Sequence, residues 1–260
     1  MIAGARLATP AERARGGDAL LFVHGVGSTA AIWDAQLQAF GAEYVCAAVE
    51  LRGNGTQKPD PDPATITRAG YAEDVLAVAD ALRADRFILV GCSLGGVTAF
   101  ELWRRAPQRI AGIFILGSFA RYPDGRRYAD AIAAEAREVG DMRAFGERRA
   151  AKLGLPPARL RETVEQYGCK SVECFLAATD ATWTGDYLDL LPTITVPALV
   201  AYGERDAVAP RPLAEEIAAG IPGAQLVSIP DAGHVANADN PTEFNRELRA
   251  FTERLSRDPG

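Results

Sequence analysis

Six short runs rich in Val, Ile, Leu and Phe recur along the chain: ALLFVHG (19–25), EYVCAAVE (43–50), RFILVG (86–91), IAGIFILG (110–117), PALVAYG (197–203) and AQLVSIP (224–230). Each ends in Gly, Pro or a polar turn, and each is apolar at successive positions rather than alternate ones. That pattern is expected of parallel strands covered on both faces by helices. Between the runs the period changes. In the stretch 71–83, Val75, Leu76, Val78, Ala79 and Leu82 form one apolar stripe, which predicts a helix. Alternating strands and helices define an α/β chain with a mostly parallel sheet. Residues 1–18 offer at most an antiparallel edge hairpin, which Pro10 and Gly16-Gly17 weaken.

The alternation stops between Arg121 and Pro192, where no strand-like run occurs. Four helices separated by Gly or Pro are predicted there, with stripes through Tyr128, Ile132 and Val139; Met142 and Phe145; Leu160, Val164 and Tyr167; and Val172, Phe175, Leu176 and Trp183. A helical block inserted between two strands cannot join the sheet, so 121–192 is read as a cap on a core formed by 1–120 and 193–260. Core packing accounts for most of the stripes. Phe175, Leu176, Trp183 and Tyr187 are read as facing a pocket beneath the cap, against the competing reading that all four are buried between cap and sheet. The block also carries Arg126, Arg127, Arg137, Arg143, Arg148 and Arg149, which raise the question of an acidic substrate. Glu135, Glu138 and Glu147 nearby favour a solvated, ion-paired helix face instead.

Composition narrows the partners. The chain has 260 residues, 48% of them hydrophobic, and a formal charge of -6, with no basic stripe to neutralise a row of phosphates. Nucleic acid is not an expected partner. No apolar run is long enough to cross a bilayer and the first residues lack the apolar core of a signal peptide, so a cytoplasmic location without membrane association is expected. Cys46, Cys92, Cys169 and Cys174 lack metal-site spacing and read as free, mostly buried thiols rather than a disulfide or metal set.

The run FILVGCSLGG (87–96) carries the chemistry. A strand that breaks at Gly91-Cys92-Ser93-Leu94-Gly95 and resumes as a helix from Val97 to Ala106 is a G-x-S-x-G turn in its strand–turn–helix setting. The central residue is forced into a strained backbone, and side chains at the flanking glycines would collide with neighbouring strand and helix. Ser93 is the expected nucleophile, exposed at the sheet edge. Cys92 should point into the sheet. A serine hydroxyl needs a base, and the base needs a partner that holds its tautomer. Only His24 and His234 are available. His234 follows the last strand in a polar turn and is assigned as the base, whereas His24 is expected to organise the first strand's loop. The acid follows PALVAYG: Asp206 is favoured, with Glu204 the alternative. Oxyanion donors are expected from the backbone N–H of Leu94 and, in the glycine-rich HGVGS (24–28), from that of Val26.

The elbow together with HGVG, LRGNG, YGERD and AGH resembles the α/β-hydrolase superfamily over nearly the whole chain. GERDAVAP and IPDAGHVANADNPTEFN look most like the 3-oxoadipate enol-lactonase group and its esterase relatives. The resemblance implies a sheet of about eight strands, a helical cap, hydrolysis without a cofactor, a Ser93-Asp206-His234 triad and an oxyanion hole at Val26 and Leu94. One departure is Glu50, which stands where the family usually has Asp. The leading reading is a serine hydrolase acting on a carboxylic ester or lactone through an acyl-enzyme. The alternatives are a C–C bond hydrolase or cyclase-type enzyme using the same site, or a non-catalytic ligand-binding protein of this fold. A homo-oligomer is left open.

Overall fold

The computed structural model describes residues 4–7, 19–55, 60–152 and 157–257. The strands are β1 (Ala5–Leu7), β2 (Ala19–Val23), β3 (Cys46–Val49), β4 (Phe87–Cys92), β5 (Ile110–Leu116), β6 (Ala198–Gly203) and β7 (Gln225–Ile229). They form one sheet in the order β1-β3-β2-β4-β5-β6-β7. Every neighbouring pair is parallel except β1 with β3. All six apolar runs are strands. The edge strand expected from 1–18 reduces to Ala5–Leu7, and residues 8–18 lie outside those described. The described residues give seven strands, one fewer than the resemblance implied.

Helices α1 (Asp34–Phe40), α2 (Arg68–Ala81), α3 (Leu94–Arg105), α8 (Arg211–Gly220) and α10 (Pro241–Arg257) flank the sheet, with a single turn α9 (Ala236–Asp239) before α10. Successive side chains of a strand point to opposite faces. Ala19, Leu21, Val23, Phe87 and Leu89 thus join a core with α2, α3 and α8. Leu20, Phe22, Ile88, Val90 and Cys92 join a second core with α1 and α10. Because both faces are dry, β2, β3, β4 and β5 are buried along their whole length. Each Leu, Ile or Phe so covered contributes about 1.5–3 kcal/mol of transfer free energy. Helix α3 begins at Leu94, three residues earlier than the sequence pattern predicts. Gly95 and Gly96 are poor helix formers, but they are held by packing: a Cβ on Gly95 would stand 2.1 Å from the Val23 carbonyl oxygen, and one on Gly96 2.4 Å from Ser118 Oγ.

Between β5 and β6 the chain forms α4 (Gly125–Val139), α5 (Met142–Lys152), α6 (Pro157–Gly168) and α7 (Val172–Trp183). The block leaves and re-enters the core at one place. Arg121 and Asp186 form an antiparallel bridge there, and the Tyr187 amide donates to the Ala120 carbonyl at 3.0 Å. Arg68 on α2 pins the end of α7, donating to Ala181 O at 3.2 Å and Thr184 Oγ1 at 3.1 Å.

Candidate active site

Strand β4 delivers Ser93 to the first turn of α3 with φ 55° and ψ -113°, a conformation that non-glycine residues rarely adopt. The strain is locked in by neighbours. The Ser93 amide donates to Leu116 O at 3.0 Å, and its carbonyl accepts from Ser118 Oγ at 2.7 Å. The flanking glycines are obligatory, since a Cβ on Gly91 would lie 2.3 Å from Gly95 O. Backbone strain of this kind, over-determined by its surroundings, is typical of functional positions. Ser93 is only 2% exposed, so it projects past the strand end into a covered site rather than into open solvent.

His234 and Asp206 arrive from the loops after β7 and β6. His234 Nδ1 stands 2.9 Å from Asp206 Oδ2, which makes Nδ1–H the donor and leaves Nε2 without a hydrogen bond among the described residues. The other Asp206 oxygen accepts from the Val208 and Ala209 amides at 2.8 and 2.9 Å. Burial pushes the Asp206 carboxyl up, but His234 and the two amides outweigh it and hold the group below the usual carboxylate range. Glu204 is exposed, and its carboxylate accepts from Ser228 Oγ at 3.4 Å. Gly117, with φ 52°, packs against both members of the pair: a Cβ there would be 3.1 Å from Asp206 Oδ2 and 3.3 Å from His234 Nδ1. No hydrogen bond joins Ser93 Oγ to the His234 ring among the described residues. Cys92 lies in the apolar core with its thiol pushed up by burial, which leaves it inert as a nucleophile.

The HGVGS segment folds over Ser93. Ser28 N donates to Gly25 O at 3.2 Å, closing a tight turn, and Gly27 at φ 80° occupies its left-handed position. A Cβ on Gly25 would approach Ser93 Cβ to 3.1 Å, so the turn lies directly on the serine. The Val26 N–H belongs to this turn, and the Leu94 N–H is among the unpaired donors of the first turn of α3. His24 is fully buried, with Nδ1 2.9 Å from Gly25 O and Nε2 3.2 Å from both the Leu51 amide and Glu50 Oε1. Glu50 also accepts from the Ala30 amide.

The remaining sequence-derived candidates sit in the packed interior. Phe175 lies against Phe145 and Tyr167, with ring centroids 5.1 and 5.7 Å apart. Trp183 stacks on Phe119 at 5.0 Å and meets Tyr122 and Tyr128 edge-on. Tyr187 is packed on Phe100, and its hydroxyl donates to Glu101 Oε2 at 3.1 Å. Leu176 is half-buried beside them. Two neighbours of the site have no sequence signal. Ser118 reaches Ser93 from the adjacent strand's end, and Lys170 reaches the HGVGS turn from the helical block. Both contacts span long stretches of chain, so no local spacing encodes them.

A strained serine between strand and helix, beside a histidine–carboxylate pair at the carboxyl edge of a parallel sheet, defines a hydrolase of the α/β class. The chain belongs to the alpha/beta hydrolase family, whose model matches residues 20–247, and it is an enzyme of that family. It is 28% identical over 247 residues to the pimeloyl-acyl-carrier-protein methyl ester esterase of Neisseria meningitidis, covering 89% of this chain and 91% of that protein. It is 27% identical over 239 residues to the carboxylesterase YbfK of Bacillus subtilis, covering 89% and 79%. The enol-lactonase of Burkholderia xenovorans superposes with a TM-score of 0.84 at 25% identity, covering 96% of this chain and 95% of that one.

Proposed function

We propose that the protein hydrolyses a carboxylic ester or lactone through a covalent acyl-enzyme on Ser93. The observation that carries this reading is the 2.9 Å pair of His234 and Asp206 set beside the strained Ser93. His234 Nε2 takes the Ser93 proton as Oγ attacks the carbonyl carbon, and Asp206 holds the ring in the tautomer that can accept it. The Leu94 and Val26 amides stabilise the oxyanion. Collapse of the tetrahedral species expels the alcohol, which takes the proton from His234. Water, deprotonated by the same ring, then attacks the acyl carbon and releases the acid and free Ser93. An ester or lactone bond agrees with the names of the esterase and lactonase relatives.

In this reading residues 121–192 form a cap, and the core of 1–120 and 193–260 supplies the chemistry. Part of the apolar face of the cap, including the half-buried Leu176, borders the acyl pocket. A fluorophosphonate probe tests the mechanism. Stoichiometric labelling of Ser93, absent in Ser93→Ala, is expected, together with loss of ester turnover in that variant. Turnover by Ser93→Ala at the wild-type rate would overturn it.

A further inference from the structure

The turn of Gly25 to Ser28 is held from two sides. On the core side a Cβ on Gly25 would meet Ser93 Cβ at 3.1 Å, the Gly25 carbonyl oxygen stands 2.9 Å from His24 Nδ1, and the Ala30 amide donates to Glu50. On the other side stands the C-terminal end of α6. The Ser28 hydroxyl donates to Gln166 Oε1 at 2.9 Å, and Lys170 Nζ donates to the Ser28 carbonyl oxygen at 3.2 Å. The Tyr167 ring covers Gly27 between these two bonds, where a Cβ would come within 2.5 Å of Cζ and the hydroxyl oxygen.

The groups that grip the turn are themselves fixed. Gln166 Nε2 donates to Glu162 Oε1 at 3.1 Å, which leaves its amide oxygen facing Ser28. Tyr167 packs on Phe145 and Phe175, with centroids 5.6 and 5.7 Å apart. Lys170 is buried, and its other donors go to Asn54 O at 2.8 Å and Gln166 O at 2.7 Å. All three of its N–H groups are thereby engaged.

Ser28 is where this grip reaches the chemistry. Its amide donates to Gly25 O at 3.2 Å. A peptide unit is planar and trans, so the Gly25 carbonyl and the Val26 N–H share one rigid plane and point in opposite directions. Whatever orients that carbonyl also aims the Val26 N–H. The aim matters, because an oxyanion donor works by being in place before charge develops, and a hydrogen bond weakens steeply off its axis. We infer that Lys170 and Gln166 are positioning residues for the reaction at Ser93: by holding Ser28 at its carbonyl and its hydroxyl, they set the peptide plane that presents the Val26 N–H to the oxyanion. The helical block then helps to build the oxyanion hole across 138 and 142 residues of chain, rather than only lying over it. The inference rests on the acyl-enzyme reading, with Val26 as a donor. A tie that merely joined the two parts of the chain would act on stability and substrate binding, whereas an aimed donor acts on the transition state.

Gln166→Leu and Lys170→Met test it with p-nitrophenyl butyrate, the rates being expressed per Ser93 labelled to completion by a fluorophosphonate. Acylation and deacylation both pass through an oxyanion, so kcat reads the hole whichever step is slower. Each variant should lower kcat about 10-fold, short of the loss of about 10²–10³ from removing a donor outright, with KM held within about twofold. A trifluoromethyl ketone adds to Ser93 Oγ and leaves an oxyanion on the tetrahedral adduct, so its affinity should fall by the same factor as kcat/KM. Lys170→Met removes a buried charge and is the variant that can fail to fold. Gln166→Leu changes one half-buried amide and carries the test alone if it does. Wild-type kcat in Gln166→Leu, or a loss confined to KM with the affinity for the ketone unchanged, overturns the inference and spares the acyl-enzyme. A wild-type protein that neither labels at Ser93 nor turns over the ester overturns the acyl-enzyme, and the inference with it.

Discussion

Lys170 Nζ donates to the carbonyl oxygen of Ser28 at 3.2 Å, joining the helical block to the turn that covers Ser93. Its other donors go to Asn54 O at 2.8 Å and Gln166 O at 2.7 Å, so one buried ammonium ties three backbone segments together. Burial pulls its pKa down from 10.5 to about 8, against the opposing pull of the Glu50 carboxylate. A lysine held below its ordinary value binds its proton less tightly when folded than when unfolded. The unfolded chain therefore carries the extra proton between about 8 and 10.5, and the contribution of Lys170 to stability rises with pH across that window. Lys170→Met should cost about 1–3 kcal/mol at neutral pH by orphaning the carbonyls. Urea denaturation across that pH range should show a difference between wild type and variant that widens as pH rises. A constant difference would place the proton elsewhere.

Asp206→Asn should lower kcat/KM by about 10⁴, because an amide donating to Nδ1 fixes the wrong ring tautomer. Glu204→Gln should stay within about twofold, as an exposed side chain away from the ring commonly does. The same carboxyl gives a pH signature. Its folded pKa is depressed, so the stability it contributes is present above the unfolded value and fades as pH falls through the folded one. Acid denaturation of Asp206→Asn should therefore begin from a lower plateau and lose less on the way down. Equal kinetic losses in the two variants would remove Asp206 from its role.

Ser93→Gly should be more stable than Ser93→Ala by about 1 kcal/mol, although both are inactive. Alanine keeps the side chain that makes φ 55° unfavourable, whereas glycine relieves 1–3 kcal/mol of strain, roughly, and gives back part of that as unfolded-state entropy. Thermal unfolding of the two proteins side by side reads the difference. If alanine is the more stable, the elbow is not strained.

The centre of the sheet was legible because β2, β3, β4 and β5 are buried on both faces and so read as continuous apolar runs, and the elbow because only glycine fits at positions 91 and 95. His234 could be assigned from scarcity, with two histidines in the chain and one of them at the end of β2. What lies between the helical block and the core was less accessible. Lys170 meets Ser28 and Asn54 across 142 and 116 residues of chain, and a lone lysine in the turn between α6 and α7 has no pattern to mark it. Ser93 was expected to be exposed; cover from the HGVGS turn explains why it is not.

Trp183 was weighed between a pocket wall and a packing residue, and its surroundings favour a loss of stability when it is truncated. It is 3% exposed, stacked on Phe119 at 5.0 Å and enclosed edge-on by Tyr122 and Tyr128. Phe119 is the next residue after Ser118, which holds the Ser93 carbonyl, so the ring also supports the elbow from behind. Trp183→Ala should therefore lose about 3–5 kcal/mol and depress turnover of all esters in similar proportion. Trp183→Phe keeps the stack on Phe119, although not the full area, and should retain most of the stability. Melting temperatures and a panel of esters differing only in acyl length check both expectations. A Trp183→Ala protein that melts like wild type but reorders its preference among acyl lengths would make the indole a wall of the substrate pocket.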